Sequence, residues 1–327
     1  MMRIGHKCRR FLARSFVLGV AALMAATLTP RSGLAASQQK VLYSFCATAV
    51  GFYCIDGAFP VAGLIQDDSG NLYGTTEDGG AGGAGTVFQL TPNKTKTAWA
   101  HKVLYRFCAQ GGGNCTDGAF PEAGVIRDAS GNLYGTTDGG GAVGEGTVFE
   151  LTPPAPGKTL RKEKVLYSFC QQPGCVDGRF PDAGLIQDAS GNLYGTTEEG
   201  GANDDGTVFE LMPPAPGKTA WTETVLDSFC AQSDCSDGER PRARLIRDAS
   251  GHLYGTTSEG GANSVACGGG TVFELVTSAK LVELRDRDRR AEPGSQVGQS
   301  VICAGDSAAV EDGAHAGGAV SEAAKKP

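Results

Sequence analysis

A heptapeptide that recurs four times constrains the fold of this chain more than any other feature. Gly-Asn-Leu-Tyr-Gly-Thr-Thr occupies residues 70–76, 131–137 and 191–197, and it recurs at 251–257 with His252 in place of the asparagine. The tyrosines of successive copies are separated by 61, 60 and 60 residues. A fixed period of this size is typical of repeat architectures, in which each copy is one supersecondary unit that packs against its neighbours.

Each repeat predicts four short strands, named a to d here. Apolar pairs at 64–65 and 72–73 flank the turn-forming residues 67–71, which predicts a hairpin of strands a and b. Strand c is predicted at 86–90, after a glycine-rich loop, and strand d at 99–107. No segment of the repeat has a helical period. The repeat is therefore predicted to be a four-stranded antiparallel meander.

The order of these strands along the chain predicts how the repeats close. One meander cannot bury both of its faces, and radial packing of such sheets gives a β-propeller. Strand d occurs first at Val41–Phe45, whereas the last repeat ends with strand c at Leu275. We therefore expect an all-β, propeller-like domain, closed by pairing of Val41–Phe45 with the last sheet. The alternatives are that Ala279–Leu284 supplies that strand, or that the four repeats form an open array or pair edge to edge with a second chain.

The composition of the two ends predicts three segments. Residues 1–36 combine basic residues, an apolar run at 16–28 and small residues at 33–36, which is the pattern of a signal peptide. The pair Arg9-Arg10 lacks the usual spacer of a twin-arginine signal, so general secretion is favoured. The repeat domain is predicted at 37–277, followed by a disordered tail at 278–327 rich in Ala, Gly and Ser. The repeats fall at about 41–101, 102–163, 164–223 and 224–277. We expect an exported protein, periplasmic or extracellular.

The charge of the mature chain restricts its partners. Removal of residues 1–36 leaves 23 basic and 36 acidic side chains, a net charge of −13. Nucleic acids are excluded as partners because phosphate binding needs clustered Lys and Arg. Outside the signal peptide no segment has the ~20 apolar residues of a membrane span. The expected partner is an extracellular ligand or protein that the sequence does not identify.

The repeat resembles the GloVer-type (Gloeo/Verruco) tandem repeat, an exported bacterial family. The resemblance rests on Ala-Gly-Leu-Ile at 62–65, the heptapeptide at 70–76 and Gly-Thr-Val-Phe at 85–88, and it extends over about 41–277. The hairpin motif is also distantly similar to NHL-type β-propeller repeats. The resemblance implies export and a propeller-like architecture. It implies no activity and no catalytic residues.

Eight cysteines recur as one pair per repeat, between strand d and the next strand a. In an exported protein this placement favours local disulfides, each worth ~2 kcal/mol because the closed loops are short. A zinc site built from pairs of two repeats is the alternative. Cys267 and Cys303 either pair or remain free. The predicted disulfides are Cys46–Cys54, Cys108–Cys115, Cys170–Cys175 and Cys230–Cys235.

Two recurring sets of acidic residues are the candidate ligand or cation sites. Because the loops from d to a and from b to c leave a meander on the same side, both sets are expected on one face. Carboxylates around a central channel could bind Ca²⁺, which takes six to eight oxygen ligands, or a sugar. Turn formation by Asp-Gly and simple solvation of the other residues explain both sets equally well. The first set is Asp56, Asp117, Asp177 and Asp237, and the second is Glu77, Asp138, Glu198 and Glu259.

Other motifs offer little chemistry. The turn residues 67–71 lack the ligand spacing of an EF-hand, and 155–159 lack the first glycine and the helix of a phosphate-binding loop. No histidine recurs between repeats, which argues against a catalytic triad. Trp99 and Trp221 could stack on a sugar, but packing is the simpler interpretation.

The function predicted from these observations is that of a secreted, non-catalytic repeat protein that acts as a binding or scaffold module. The alternative is an exported propeller enzyme that acts on glycans or lactones through acidic loop residues, with or without calcium. The fourth repeat departs most from the others. Convergence of its atypical residues on one pocket would favour an enzyme; they are Asp227, Glu239, Arg240, Arg242, Arg244 and 264–268.

Overall fold

The computed structural model describes residues 39–51, 53–109, 115–262 and 269–276 of the 327-residue chain. The chain divides into two compact parts, Met1–Ser44 and Phe45–Pro327. In the first part, the described residues 39–44 form neither helix nor strand. All regular structure of the described residues lies in the second part.

The second part is an all-β assembly of antiparallel sheets. Its strands are β1 Ala49–Val50, β2 Tyr53–Cys54, β3 Ile65–Gln66, β4 Leu72–Thr76, β5 Thr86–Pro92, β6 Trp99–Arg106, β7 Ile126–Arg127, β8 Leu133–Thr137, β9 Thr147–Thr152, β10 Lys162–Ser168, β11 Ile186–Gln187, β12 Leu193–Thr197, β13 Thr207–Met212, β14 Thr222–Ser228, β15 Ile246–Arg247, β16 Leu253–Thr256 and β17 Val272–Leu275. Sheets 1, 2 and 3 are the four-stranded meanders β3–β6, β7–β10 and β11–β14, and sheet 4 contains β15, β16 and β17. Strands β1 and β2 form a separate hairpin. Single 3₁₀ turns occur at Pro173–Cys175 and Ser233–Cys235.

The turn between the first two strands of each sheet is built by one aspartate. In sheet 1, Oδ1 of Asp67 accepts hydrogen bonds from the backbone N–H groups of Ser69 and Asn71, and Oδ2 accepts from the Tyr73 hydroxyl at 2.9 Å. Gly70 has a φ of +81°, a conformation that L side chains rarely adopt. The predicted hairpin is confirmed, and local hydrogen bonding explains why Asp-x-x-Gly-Asn recurs.

Strands b and c pack so closely that the heptapeptide needs its second glycine. A Cβ on Gly74 would lie 2.8 Å from Cζ of Phe88 on the next strand. At the end of the same strands, the hydroxyls of Thr76 and Thr86 are hydrogen-bonded at 2.8 Å. The same pairs of residues recur in the other sheets. The repeated motif is therefore a packing motif of the sheet.

Each sheet packs on the next one along the chain. The phenylalanine that follows strand d contacts the phenylalanine of strand c in the following sheet, with ring centroids 5.0 Å apart for Phe107 and Phe149. Equivalent contacts join sheets 2 and 3 and sheets 3 and 4. In addition, the hydroxyl of Thr75 in sheet 1 donates to the carbonyl of Ala123 before sheet 2. Three apolar clusters result, one at each junction between successive sheets.

The prediction of a strand at Val41–Phe45 is wrong. These residues form no strand, and among the described residues β17 is paired with β16 only. Consequently Val272 is 83 % exposed, whereas its counterpart Val208 in sheet 3 is completely buried. In the other sheets strand d follows strand c after a short turn. Pairing of residues 41–45 with β17 would instead join two segments separated by most of the domain, and the entropy cost of closing such a long loop is larger. The alternative strand Ala279–Leu284, the signal peptide and the tail lie outside the described residues.

The disulfide prediction is confirmed, and the zinc alternative is wrong because the thiols are bonded to each other. The bonds join Cys46 to Cys54, Cys108 to Cys115, Cys170 to Cys175 and Cys230 to Cys235. Cys267 and Cys303 lie outside the described residues.

Candidate functional site

The segments that lead into the first strands of all four sheets line one cavity of about 290 Å³, and β3 and β7 themselves contribute Ile65 and Ile126. They approach closely there, since a Cβ on Gly124 would lie 2.7 Å from the carbonyl oxygen of Gly63. Segments 60 residues apart in sequence therefore meet at one place. The lining residues include 62–65, 122–126, 182–185, Arg242 and Arg244.

The residue after the repeated proline differs in every repeat, and three of the four such residues line this cavity. They are Glu122, Asp182 and Arg242, and the fourth residue of the series is Val61. The sequence analysis missed Glu122 and Asp182. Comparison of the four repeats at this position would have drawn attention to them, because a different charged residue stands there in three of the repeats.

The backbone before this position brings two of the carboxyl groups together. Phe180 has a φ of +57°, in the left-handed region that is unusual for a bulky residue. Its carbonyl oxygen accepts hydrogen bonds from the N–H groups of Asp182, at 3.0 Å, and Glu198, at 2.8 Å. Glu198 directly follows β12, so the end of strand b and the start of strand a are held against each other. Phe120 plays the same part for Asp138, whose N–H it accepts at 3.0 Å.

Burial raises the pKa of three carboxyl groups at this site. The carboxyl of Asp182 is in hydrogen-bonding contact with Glu198 and Asp138, and burial together with these contacts raises the pKa of Asp182 to about 9. Burial also raises the pKa of Asp138 and that of Glu122. At neutral pH Asp182 therefore keeps its proton and can donate a hydrogen bond, which an ionised carboxylate cannot do.

Arginines of the fourth repeat neutralise the remaining charge. The guanidinium of Arg242 forms an ion pair with Glu198, which is only 8 % exposed. Arg240 lies 3.6 Å from the same carboxylate and 3.8 Å from Glu199. Glu198 is thus paired with two cations, while its neighbour Asp182 is neutral.

Arg244 occupies a position at which the other three repeats have glycine. Its Cδ lies 3.6 Å from the position that a Cβ on Gly184 would take, so its side chain extends along the first strand of sheet 3. Among the described residues Arg244 has no ion-pair partner. Of the two arginines that line the cavity, Arg242 is paired with Glu198, whereas Arg244 has no ion-pair partner among the described carboxylates.

The first predicted acidic set does not line the cavity. Asp117 and Asp177 are almost fully buried and accept hydrogen bonds from the hydroxyls of Tyr105, at 2.7 Å, and Tyr167, at 2.8 Å. Each member of this set also accepts backbone N–H groups just after the first cysteine of its disulfide. These aspartates, which include Asp56 and Asp237, support the disulfide loops in the structure, and a ligand role for them stays a prediction.

The second predicted set lies around the cavity in part. Asp138 and Glu198 contact Asp182, as described above. Glu77 is close enough to Glu122 to raise its pKa. Glu259 lies 4.0 Å from Arg240 and is not one of the residues that line the cavity. The expectation that these residues bind a ligand or Ca²⁺ stays a prediction.

The atypical residues of the fourth repeat separate into two groups. Arg242 and Arg244 line the cavity, and Arg240 contacts its carboxylates. Asp227 and Glu239 do not line it. Asp227 replaces the tyrosine of the other repeats, and burial, with the charge of Asp237, raises its pKa. The inserted residues 264–268 lie outside the described residues.

Two further side-chain groups bear on the predicted metal and sugar contacts. In the described part of the chain, Asp205, Cys230 and Cys235 are the three donors close enough to share a metal ion, but the two cysteines form a disulfide. Trp221 packs against the apolar cluster between sheets 2 and 3, as the packing interpretation predicts.

Within the described residues no helix has the length and apolar content needed to cross a membrane.

Comparison with known proteins places the chain in a family. A comparison with curated proteins finds no match. The model of the Gloeobacter/Verrucomicrobia repeat matches residues 31–186 and 160–306, which together span most of the chain. The resemblance seen in the heptapeptide is thereby confirmed, and the chain belongs to the Gloeobacter/Verrucomicrobia repeat family.

Proposed function

We propose that this chain is an exported, non-catalytic binding module whose ligand occupies the cavity formed by the segments that lead into its four sheets. One observation carries the proposal: the residue after the repeated proline differs in every repeat, and three of its four versions, Glu122, Asp182 and Arg242, line the same cavity together with Arg244. The cavity therefore combines charged side chains that the individual repeats do not share. Small-molecule sites are typically cavities with a few convergent polar groups.

The arrangement of the sheets supports a propeller-like architecture for this module. In a propeller the first strand of each blade lines the central channel. Strands β3 and β7 reach the cavity directly, and the segments just before β11 and β15 bring sheets 3 and 4 to it. We propose that the four sheets are blades around this cavity, sheet 4 having three strands among the described residues.

Export is part of the same proposal. Its support is the signal-peptide pattern of residues 1–36 and the four disulfides, which are typical of oxidising compartments.

A pair of glycine substitutions tests the site. A side chain at Gly63 would meet no atom within 4 Å and lies on the cavity wall, so Gly63→Trp should fill the cavity without disturbing the fold. Gly269, in the exposed glycine loop before β17, has equal space and is the matched control. A fragment library screened by ligand-observed NMR should give hits that Gly63→Trp abolishes and Gly269→Trp retains. Hits that both variants retain, or no hits at all, would contradict the proposal.

A second candidate function is catalysis, and one observation favours it. Asp182 keeps its proton at neutral pH beside Glu198, an arrangement that provides a general acid next to a second carboxyl group. If the protein is an enzyme, it should hydrolyse a chromogenic glycoside or lactone, and Asp182→Asn should reduce kcat at least about a hundredfold. Absence of turnover on such a panel leaves the binding module as the supported function.

A further inference from the structure

The cavity is lined by an arginine and by carboxyl groups. Arg244 lies just before the first strand of sheet 4 and has no ion-pair partner among the described residues. Glu122 and Asp182 project from the segments before sheets 2 and 3 and line the same cavity. A ligand that spans it therefore meets a guanidinium and carboxyl oxygens at once.

The ion pairs already present at the site indicate which charged group the ligand carries. Glu198 is compensated by Arg242 and Arg240, so these groups need no further ion. An uncompensated arginine in a chain whose predicted mature charge is strongly negative selects a single anionic group, and a carboxylate fits the planar guanidinium in a bidentate manner. A doubly charged phosphate would be repelled more strongly than a singly charged carboxylate by the acidic residues around the cavity, which disfavours it.

The carboxyl groups of the cavity indicate which other functional groups the ligand carries. Carboxylate oxygens accept hydrogen bonds, and the protonated Asp182 can donate one, so the carboxyl groups of the lining match hydroxyl groups, which do both. An ammonium group would instead compete with Arg242 for Glu198 and lies within the repulsive field of three arginines. The volume of about 290 Å³ is at the lower end of the range for small-molecule sites and is suited to one monosaccharide.

We propose that the cavity binds a sugar acid, with the ligand carboxylate on Arg244 and the ligand hydroxyls on Glu122 and Asp182. This inference rests on the proposed function, because it names the ligand class of that same cavity. In this proposal Arg244 is the specificity-determining residue. The other three repeats have glycine at its position, and glycine supplies no positive charge for the ligand carboxylate.

Two sugars that differ at one group test the proposal. Galacturonate and galactose share their ring hydroxyls, but only galacturonate carries a carboxylate. Binding to the mature, disulfide-bonded chain is measured by NMR titration. We expect galacturonate to bind at least about tenfold more tightly than galactose, because the charge-assisted contact with Arg244 is lost with the neutral sugar. Equal affinity for the two sugars would overturn the proposal, and so would tighter binding of glycine, which carries an ammonium group.

Two variants that restore repeat residues locate the binding site. Arg244→Gly installs the residue of the other repeats and should weaken galacturonate binding at least about tenfold, with little effect on galactose. Arg127→Gln installs the residue found at 66 and 187 and removes one exposed charge outside the cavity, so affinity should stay within about twofold. Equal losses in both variants would show that only the overall charge matters and would overturn the assignment.

The fragment screen separates the two proposals. If galacturonate does not bind but fragments bind in a manner that Gly63→Trp abolishes, the cavity is a ligand site and the sugar-acid assignment is wrong. If neither binds, both proposals are wrong.

Discussion

At the scale of single residues, buried carboxyl groups set the pH response of the fold. Glu223 lies on the last strand of sheet 3, and its Oε1 is buried without a hydrogen-bond partner among the described residues. Burial, with the charge of Asp177, raises the pKa of Glu223 to about 7. Glu163, at the same position of sheet 2, has its pKa raised to about 7 by burial and the charge of Asp117. These residues pack at the junctions between sheets, so their ionisation weakens the folded state.

The sign of this effect gives a prediction for Glu223→Gln. A carboxyl whose pKa is raised on folding stabilises fully below its unfolded pKa, about 4.5, and that stabilisation is lost as the pH rises through about 7. Glutamine mimics the protonated form, so we expect the variant to be more stable than the parent by about 1–2 kcal/mol near pH 8, after allowance for partial exposure, and equal to it near pH 4.5. Urea unfolding at both pH values measures this difference.

Two further variants control that experiment. Glu163→Gln should behave like Glu223→Gln because it occupies the equivalent strand position. Asp68→Asn, at an exposed turn, should show the same stability difference from the parent at both pH values. A stabilisation of Glu223→Gln that did not depend on pH would show that ionisation is not its cause.

At the scale of elements, each loop between sheets is closed twice, by a disulfide and by an aspartate. In the loop from sheet 2 to sheet 3, Cys170 and Cys175 are bonded over a separation of 5 residues. Asp177 accepts the N–H groups of Gln171 and Gln172 at 2.9 and 3.2 Å, so hydrogen bonds hold the same loop. The glycine that follows, Gly178, has no space for a Cβ, which would lie 2.5 Å from the Thr197 hydroxyl. Asp-Gly is therefore required by the loop itself.

This double closure predicts a modest loss when one disulfide is removed. Replacing Cys170 and Cys175 together by alanine should lower the free energy of unfolding by about 2 kcal/mol, because the bond closes only a short loop in the unfolded chain. Equilibrium unfolding in urea measures it. The pair Cys230 and Cys235, with the same separation of 5 residues, should cost a similar amount. Failure of either variant to fold would mean that the disulfide, rather than Asp177 or Asp237, holds the loop.

At the scale of the whole molecule, the two ends of the series of sheets are less covered than its interior. Leu64, on the side of sheet 1 that precedes the series, is 51 % exposed, whereas its counterparts Leu185 and Leu245 are almost completely buried against the preceding sheet. At the other end Ile246 and Val272 of sheet 4 are exposed by 67 % and 83 %. Among the described residues, three junctions are packed and no fourth apolar cluster joins sheet 4 to sheet 1.

A matched pair of substitutions tests this difference between ends and interior. Leu185→Ala should cost about 2–5 kcal/mol because it leaves a cavity in a packed junction, whereas Leu64→Ala should cost less than about 1 kcal/mol because its side chain is half exposed. Urea unfolding of the full mature chain gives both values. Equal costs would show that sheet 1 is covered in solution, which would favour a closed ring over an open series.

Much of the fold was predictable because its signals are local. The strands of sheets 1 to 3 and the turn at Asp67 follow from apolar pairs and turn residues a few positions apart. The strand at 41–45 was predicted by analogy with the other d strands, but a strand forms only with a hydrogen-bonded neighbour, and for this segment the proposed neighbour is β17 at the far end of the domain.

The candidate site was predictable only in part. Asp138 and Glu198 recur at the end of strand b and were singled out for that reason. Asp182 and Glu122 do not recur as a residue type, so a search for shared features overlooked them. Their contact with the recurring carboxylates depends on the left-handed backbone at Phe180 and Phe120, which no local sequence signal reveals for a phenylalanine.

The sequence by itself determined the repeat, its strands, its turns and its disulfides, because each depends on residues within about ten positions of one another. Only the tertiary structure decided that the start of each sheet meets the others at one cavity, that Arg242 pairs with Glu198 while Arg244 does not, and that β17 pairs only with β16 in the part of the chain that the structure describes. These outcomes depend on contacts between residues 40 or more positions apart, and such contacts are set by how whole sheets pack.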